Sequence, residues 1–144
     1  MSEEQEKIDL GHWTTELLTE SNEVPYGFIY LITNLTNGKK YIGKKQCKTI
    51  LKRKPLKGKK NKRHVEKETD WRTYTSSSRE LNDDIELLGK ENFKFEIIRF
   101  CDSKFDLGYQ EAKLQFEKDV LIRDDYYNAI INIRTGRVPK SYKG

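Results

Sequence analysis

The sequence predicts an α+β fold in which a small three-stranded antiparallel sheet is flanked by helices. An aromatic and β-branched run at residues 26–33 is followed by an Asn-Gly turn and a return strand. A second run with alternating apolar side chains covers residues 93–100, and segments with helical apolar spacing lie around it. The 144 residues, 35% of them apolar, suffice for one domain with a modest core.

The first two strands are predicted to form a tight hairpin. Residues 26–33 favour an extended strand because their side chains pack well on a pleated surface. Asn37-Gly38 tolerates the positive φ angles of a tight turn, so residues 39–44 return as the second strand. The hairpin therefore places Tyr30 and Tyr41 on neighbouring strands.

Three helices are expected around the sheet. An extra N-terminal helix over residues 3–20 carries a partial apolar stripe. A second helix begins at Ser77, which forms a capping box with Glu80. A third helix covers residues 107–124 after an Asp106 cap, and its apolar stripe is expected to pack on the sheet.

Shifts in composition suggest the domain organisation. Residues 1–25 are the expected helical extension and linker, residues 26–131 the main domain, and residues 132–144 a basic tail. The main domain contains a basic insertion at residues 44–75. Its start, residues 46–53, is compatible with a short helix, and the Lys- and Gly-rich part is expected to be mobile without a ligand.

Positive charge is concentrated in this insertion. Between Lys39 and Lys67 there are fourteen Lys or Arg residues and one acid, Glu66, although the whole chain carries only +5. This pattern is typical of proteins that bind a polyanion, because contacts with phosphates release counterions. A solvated basic loop is the alternative interpretation. The residues expected to contact DNA are Lys44, Lys52, Lys57, Lys59, Lys60, Lys62, Arg63 and Arg72.

The sequence also argues against several classes of protein. There is no apolar run near the roughly 18 residues that a membrane span requires. The acidic N-terminus lacks the order of a secretory signal. Two cysteines, Cys47 and Cys101, form neither a disulfide framework nor a zinc set. A cytoplasmic location is therefore expected.

The hairpin carries a resemblance to a known family. Residues 28–30, Phe-Ile-Tyr, and residues 41–43, Tyr-Ile-Gly, lie at hairpin spacing and resemble the two motifs of the GIY-YIG nucleases. Relatives usually have Gly in place of Phe28, whereas the second motif is intact. The resemblance covers about residues 26–130. It implies a metal-dependent DNA endonuclease that hydrolyses phosphodiester bonds on a three-stranded sheet.

The resemblance also implies a metal ligand. Glu111 matches the Glu that holds one divalent ion, Mg²⁺ or Mn²⁺, on the helix after the third strand. Mg²⁺ prefers oxygen ligands and retains several waters, so it needs few ligands from the protein. Glu117 and Asp119 lie on the same predicted helix, and position alone does not distinguish them from Glu111.

Further catalytic roles follow from the same resemblance. Tyr30 is expected to act near the attacking water as a general base, if Lys44 or Lys45 supplies the charge that lowers its pKa. Tyr41 is expected to orient the water or to contact the phosphate. Ordinary packing across the hairpin is the alternative role for both tyrosines.

The family also uses an Arg on the helix after the second motif to stabilise the transition state. A guanidinium suits this role because it makes bidentate contacts with phosphate oxygens. Arg53 is assigned to it, with Arg63 and Arg72 as alternatives. Asn128, in Tyr-Tyr-Asn, matches an Asn that holds the site together by hydrogen bonds. Capping of a turn explains Asn128 equally well.

Two other functions fit the same residues. One is a catalytically inactive nucleic-acid-binding protein on the same scaffold, and the other is a basic module that docks on an acidic protein. The expected substrate is double-stranded DNA, although the sequence does not exclude RNA. One site cuts one strand at a time, so cleavage of both strands requires a homodimer or two binding events. The size of the chain suits a free-standing phage or mobile-element nuclease acting in a bacterial cell.

Overall fold

The computed structural model describes residues 8–17, 23–133, 136–140 and 142. It confirms an α+β fold with a small antiparallel sheet and two α-helices. None of the described helices is both long and apolar enough to cross a membrane. The elements in chain order are β1 (Gly27–Asn34), β2 (Lys40–Gln46), β3 (Lys48–Arg53), β4 (Arg63–Glu68), α1 (Arg79–Leu88), a 3₁₀ turn (Lys90–Asn92), β5 (Phe93–Cys101) and α2 (Lys104–Glu117).

The central sheet has the strand order β2-β1-β5, with both neighbours antiparallel to β1. In the β1–β2 hairpin, Tyr30 lies opposite Gly43 and Ile32 lies opposite Tyr41. The pairing of β1 with β5 contains a bulge between Ile29 and Tyr30. Because a bulge increases local twist and changes the direction of a side chain, this irregularity helps to position Tyr30.

The two faces of the sheet bury two apolar clusters. Phe28, Tyr30 and Ile32 point to one face, where they pack with other buried residues that include Trp71. Ile29 points to the opposite face, which α2 covers. The alternation of side chains along β1 directs the Tyr30 ring away from the face that α2 covers. Its hydroxyl nevertheless extends along the sheet and lies over Gly43 on the edge strand β2, against which α2 also packs.

The expected N-terminal helix is absent from residues 8–17, so this part of the prediction is wrong. Thr14 instead forms a parallel bridge with Glu96 at the free edge of β5. Trp13 is 3% exposed and packs against the rings of Phe28 and Tyr30. Burial of this large ring outweighs a weak helical stripe. The other residues of the predicted helix lie outside the described part.

The short helix expected at residues 46–53 is also wrong. Residues 48–53 form β3, which pairs with β4 as a separate two-stranded sheet. The β-branched side chains of Thr49, Ile50 and Val65 favour this extended form. The partner strand lies beyond a lysine-rich connection, and a local sequence pattern cannot reveal that pairing.

Both remaining helices exist, although their bounds differ from those expected, and α2 ends at Glu117 rather than near residue 124. Ser78, rather than Ser77, caps α1, and its hydroxyl accepts a bond from the backbone N–H of Leu81. Ser103 caps α2 by accepting from the backbone N–H of Asp106, so Asp106 lies in the first turn instead of at the cap.

Candidate active site

The two motif tyrosines lie side by side on β1 and β2. Their ring centroids are 6.1 Å apart and their planes are inclined by 29°. Gly43, the last residue of the second motif, lies directly opposite Tyr30. A Cβ atom at Gly43 would overlap the Tyr30 hydroxyl and the Tyr41 ring. The missing side chain of Gly43 therefore leaves the space that the two phenols occupy.

Glu111 projects from α2, which packs against β2. Its side chain is 13% exposed, and Lys44 Nζ lies 3.8 Å from a carboxylate oxygen. Burial raises the pKa of Glu111, and the positive charge of Lys44 opposes that rise. Burial is also the main cause of the raised pKa of Tyr30 and Tyr41, and the Glu111 charge adds to both. The carboxylate and the two phenols therefore lie within electrostatic reach of one another.

From the sequence we expect a lysine to lower the pKa of Tyr30, whereas the surroundings of Tyr30 raise that pKa. Burial raises the pKa of Tyr30 well above its ordinary value, so this phenol keeps its proton at neutral pH. Lys45 is directed elsewhere, because its Nζ lies 2.9 Å from Asp70 Oδ1 and 4.1 Å from the ring centre of Tyr74. The surroundings of Tyr30 therefore disfavour its ionised form.

Tyr74 and Ser77 join the site although neither belongs to a motif. The Tyr74 ring lies edge-on to Tyr30, with centroids 6.3 Å apart. Ser77 Oγ lies 3.5 Å from the Tyr41 hydroxyl. Burial raises the pKa of both Tyr41 and Tyr74, and their hydrogen bonds with Ser77 lower it. Tyr74 lies at the end of the long insertion and Ser77 lies just beyond it, so the motif spacing gives no indication of either residue.

Two buried amides fix β2 from its outer side. Asn128 Oδ1 accepts from the backbone N–H of Ile42 at 3.0 Å, and Asn128 Nδ2 donates to the Ile42 carbonyl at 2.8 Å. Gln115 on α2 donates to the same carbonyl at 3.0 Å. Because Ile42 lies between Tyr41 and Gly43, these bonds set the position of the second motif relative to α2.

Of the three candidate arginines, Arg63 and Arg72 have described side-chain contacts, and none of these contacts is with Tyr30 or Tyr41. The backbone of Arg53 pairs with Arg63 at the outer end of the β3–β4 pair, and the Arg53 side chain lies outside the described part. Arg72 Nη1 lies 2.7 Å from Glu68, and its guanidinium lies 4.4 Å from the ring centre of Trp71. The first helix after the second motif is α1, and its first residue is the exposed Arg79.

The surroundings of Glu111 fit one hard divalent ion. Its carboxylate is largely buried, and its partner is Lys44, whose Nζ lies 3.8 Å away and whose side chain and backbone both lower the pKa of the carboxyl by hydrogen bonding. Among the described residues, no three His, Cys, Asp or Glu side chains lie together in a way that could hold a metal. One carboxylate with several waters is a ligand set that Mg²⁺ accepts and that a structural zinc site does not use.

Comparison with known proteins identifies one family. A family model described as "Putative endonuclease segE, GIY-YIG domain" matches residues 13–131. The matched range begins at the buried Trp13, contains every strand and helix described above, and includes Asn128. Searches of curated proteins and of solved structures found no match.

Proposed function

The chain belongs to the GIY-YIG nuclease family, and on that premise we propose that it is a metal-dependent endonuclease. It hydrolyses phosphodiester bonds of DNA, most simply double-stranded DNA, at the pocket formed by Tyr30, Tyr41 and Glu111. The main support is geometric: the two motif phenols lie side by side over Gly43, and the next residue, Lys44, has its Nζ 3.8 Å from the Glu111 carboxylate. In this proposal the three residues come from three separate elements, β1, β2 and α2.

The phenols hold and orient the reacting groups. Tyr41 is the less buried of the two and lies beside Ser77, so its hydroxyl donates to a phosphate oxygen or to the attacking water. Tyr30 is 1% exposed and packs against Tyr41 and Tyr74, which fixes the position of both rings. A donor placed where negative charge develops is worth roughly 10²–10³ in rate.

Glu111 holds the cation in this proposal. A Mg²⁺ or Mn²⁺ ion held by Glu111 would supply positive charge for the phosphate and assistance to the leaving oxygen. Lys44 balances the carboxylate when no cation is bound. Arg79 is our candidate for the guanidinium of the family, because it begins the first helix after the second motif and lies two residues from Ser77.

The departure at Phe28 does not favour an inactive protein. Phe28 is fully buried and packs against Trp13 and Trp71, away from solvent. Phe28 also packs edge-on against Tyr30, with ring centroids 6.2 Å apart, so it supports one of the two phenols from within the core.

Nicking of supercoiled plasmid tests the proposal. The parent protein is expected to produce open-circular DNA with Mg²⁺ and none with EDTA. Glu111→Ala should lower the rate by at least ~100-fold, the size typical of an electrostatic group acting in the transition state. Glu117→Ala, an exposed acid on the same helix, is the matched control and should cut like the parent. Absence of nicking with Mg²⁺ and Mn²⁺, or full activity of Glu111→Ala, would overturn the proposal.

A further inference from the structure

The β3–β4 pair is a two-stranded antiparallel ribbon whose described residues pair only with each other in the sheet register. The register runs from Lys48 opposite Glu68 to Arg53 opposite Arg63. Six strand residues span about 20 Å. We propose that this ribbon enters the major groove of double-stranded DNA beside the phosphate that is cut, an inference that rests on the proposed function.

Charge is distributed unequally along the ribbon. The acids lie near its base and are paired, Glu66 with Lys48 at 3.2 Å and Glu68 with Arg72 at 2.7 Å. The outer part, from Lys52 to Arg63, contains eight Lys or Arg residues and no acid. The outer part therefore carries uncompensated positive charge, which favours contact with a polyanion.

The base of the ribbon lies beside the candidate active site. Lys45 precedes the ribbon and Asp70 follows it, and their side chains form a salt bridge of 2.9 Å. Lys45 also lies over the ring of Tyr74, which contacts Tyr30. The ribbon extends about 20 Å from this point. Because each base pair adds about 3.4 Å along the duplex, the outer end of the ribbon lies about six base pairs from the candidate active site.

The composition of the ribbon fits duplex DNA better than other nucleic acids. A two-stranded ribbon fits the major groove of B-DNA, which is about 12 Å wide. No Phe, Tyr or Trp occurs between Lys48 and Glu68, so the ribbon lacks the stacking rings that single-strand binding uses. The major groove of A-form RNA is too narrow for such readout. Ile50 and Leu56 are 68% and 56% exposed, and aliphatic groups of this kind contact thymine methyl groups.

Binding in EDTA tests the inference without cleavage. A charge variant replaces Lys57, Lys59, Lys60 and Lys62 with Gln, and a matched control replaces the exposed Lys90, Lys104, Lys113 and Lys118. A second variant joins Arg53 to Arg63, which are cross-strand partners, through an Asn-Gly turn in place of residues 54–62. The charge variant changes only exposed side chains, so it is expected to keep the parent fold.

The parent is expected to protect guanine N7 from dimethyl sulfate within about six base pairs of the cut site, and to bind duplex more tightly than single strands. Both ribbon variants should fail to give this protection. The charge variant should reduce the slope of log affinity against log salt by about 3 to 4, at about 0.9 for each phosphate that the variant no longer neutralises. The control should bind like the parent.

Three results would overturn the inference: an unchanged slope and footprint in the charge variant, equal affinity for single strands, or protection confined to the minor groove. A parent that shows ribbon-dependent protection of guanine N7 on a duplex but never nicks plasmid would contradict the proposed function and leave groove binding intact. A parent that nicks plasmid without protecting guanine N7 would support the proposed function and contradict groove binding by the ribbon.

Discussion

Gly43 shows how one missing side chain shapes the candidate site. A Cβ atom there would meet the Tyr30 hydroxyl and the Tyr41 ring, so Gly43→Ala is expected to displace the phenols. Misplacement of reacting groups by about 1 Å costs roughly 10²-fold in rate. Single-turnover nicking measures the reduction. Gly136→Ala is the control, because a Cβ at Gly136 meets nothing within 4 Å. Equal rates for the two variants would mean that the phenol positions are not critical.

Glu111 is expected to lower the stability of the folded protein at neutral pH. Burial raises its pKa above the ordinary value of 4.5, so ionisation is less favourable in the folded chain than in the unfolded one. Stability is therefore lost as pH rises from about 4.5 through the raised pKa. Glu111→Gln should raise the Tm at pH 7, measured without divalent ions, and the difference should vanish below about pH 4. A lower Tm at pH 7 would mean that the pairing with Lys44 outweighs burial.

At the scale of elements, the segment of residues 8–17 acts through the residues that it anchors. His12 N donates to the Arg72 carbonyl at 3.0 Å, and His12 Nε2 lies 2.9 Å from the Tyr74 carbonyl oxygen. Trp13 Nε1 donates to the Trp71 carbonyl at 2.6 Å. These bonds fix the stretch that places Tyr74 against Tyr30.

Removal of the Trp13 ring tests the importance of this segment. Trp13→Ala is expected to destabilise the protein by roughly 3–5 kcal/mol, because it leaves a cavity between the sheet and the segment. Urea denaturation measures the change. Leu17→Ala in the same segment should have little effect, since Leu17 is 40% exposed. A small effect of Trp13→Ala would mean that residues 8–17 are dispensable for the fold.

Local patterns predicted the elements whose evidence lies within a few residues. The hairpin depends on Asn37-Gly38, and the third strand depends on its own alternation, so both could be predicted. The bridge between Thr14 and Glu96 depends on residues that are distant in the chain, and no local pattern contains it. The pairing of β3 with β4 and the approach of Tyr74 to Tyr30 also join residues that are distant in the chain, so no local pattern predicts them. Of the site, the motifs identify both hairpin tyrosines and Glu111, and their catalytic roles remain predictions.

At the scale of the whole molecule, a compact sheet carries the candidate site and a basic ribbon extends from beside it. Lys45 and Asp70 join the two parts through their salt bridge. In the proposed function, one pocket cuts one strand in each event. Open-circular plasmid is therefore expected to accumulate before linear plasmid, as followed by gel electrophoresis over time. Linear product without that intermediate would instead indicate two copies acting together.

A double-mutant cycle tests most directly whether Glu111 and Tyr41 act at one cleavage centre. The single-turnover cleavage rate of a short duplex is measured for Tyr41→Phe, for Glu111→Gln and for the double variant. Groups that act as a unit have strongly non-additive effects. The double variant is therefore expected to cut about as slowly as the slower single variant. If the rate reduction of the double variant instead equals the product of the two single reductions, the carboxylate and the phenol act independently. That result would contradict a shared active site.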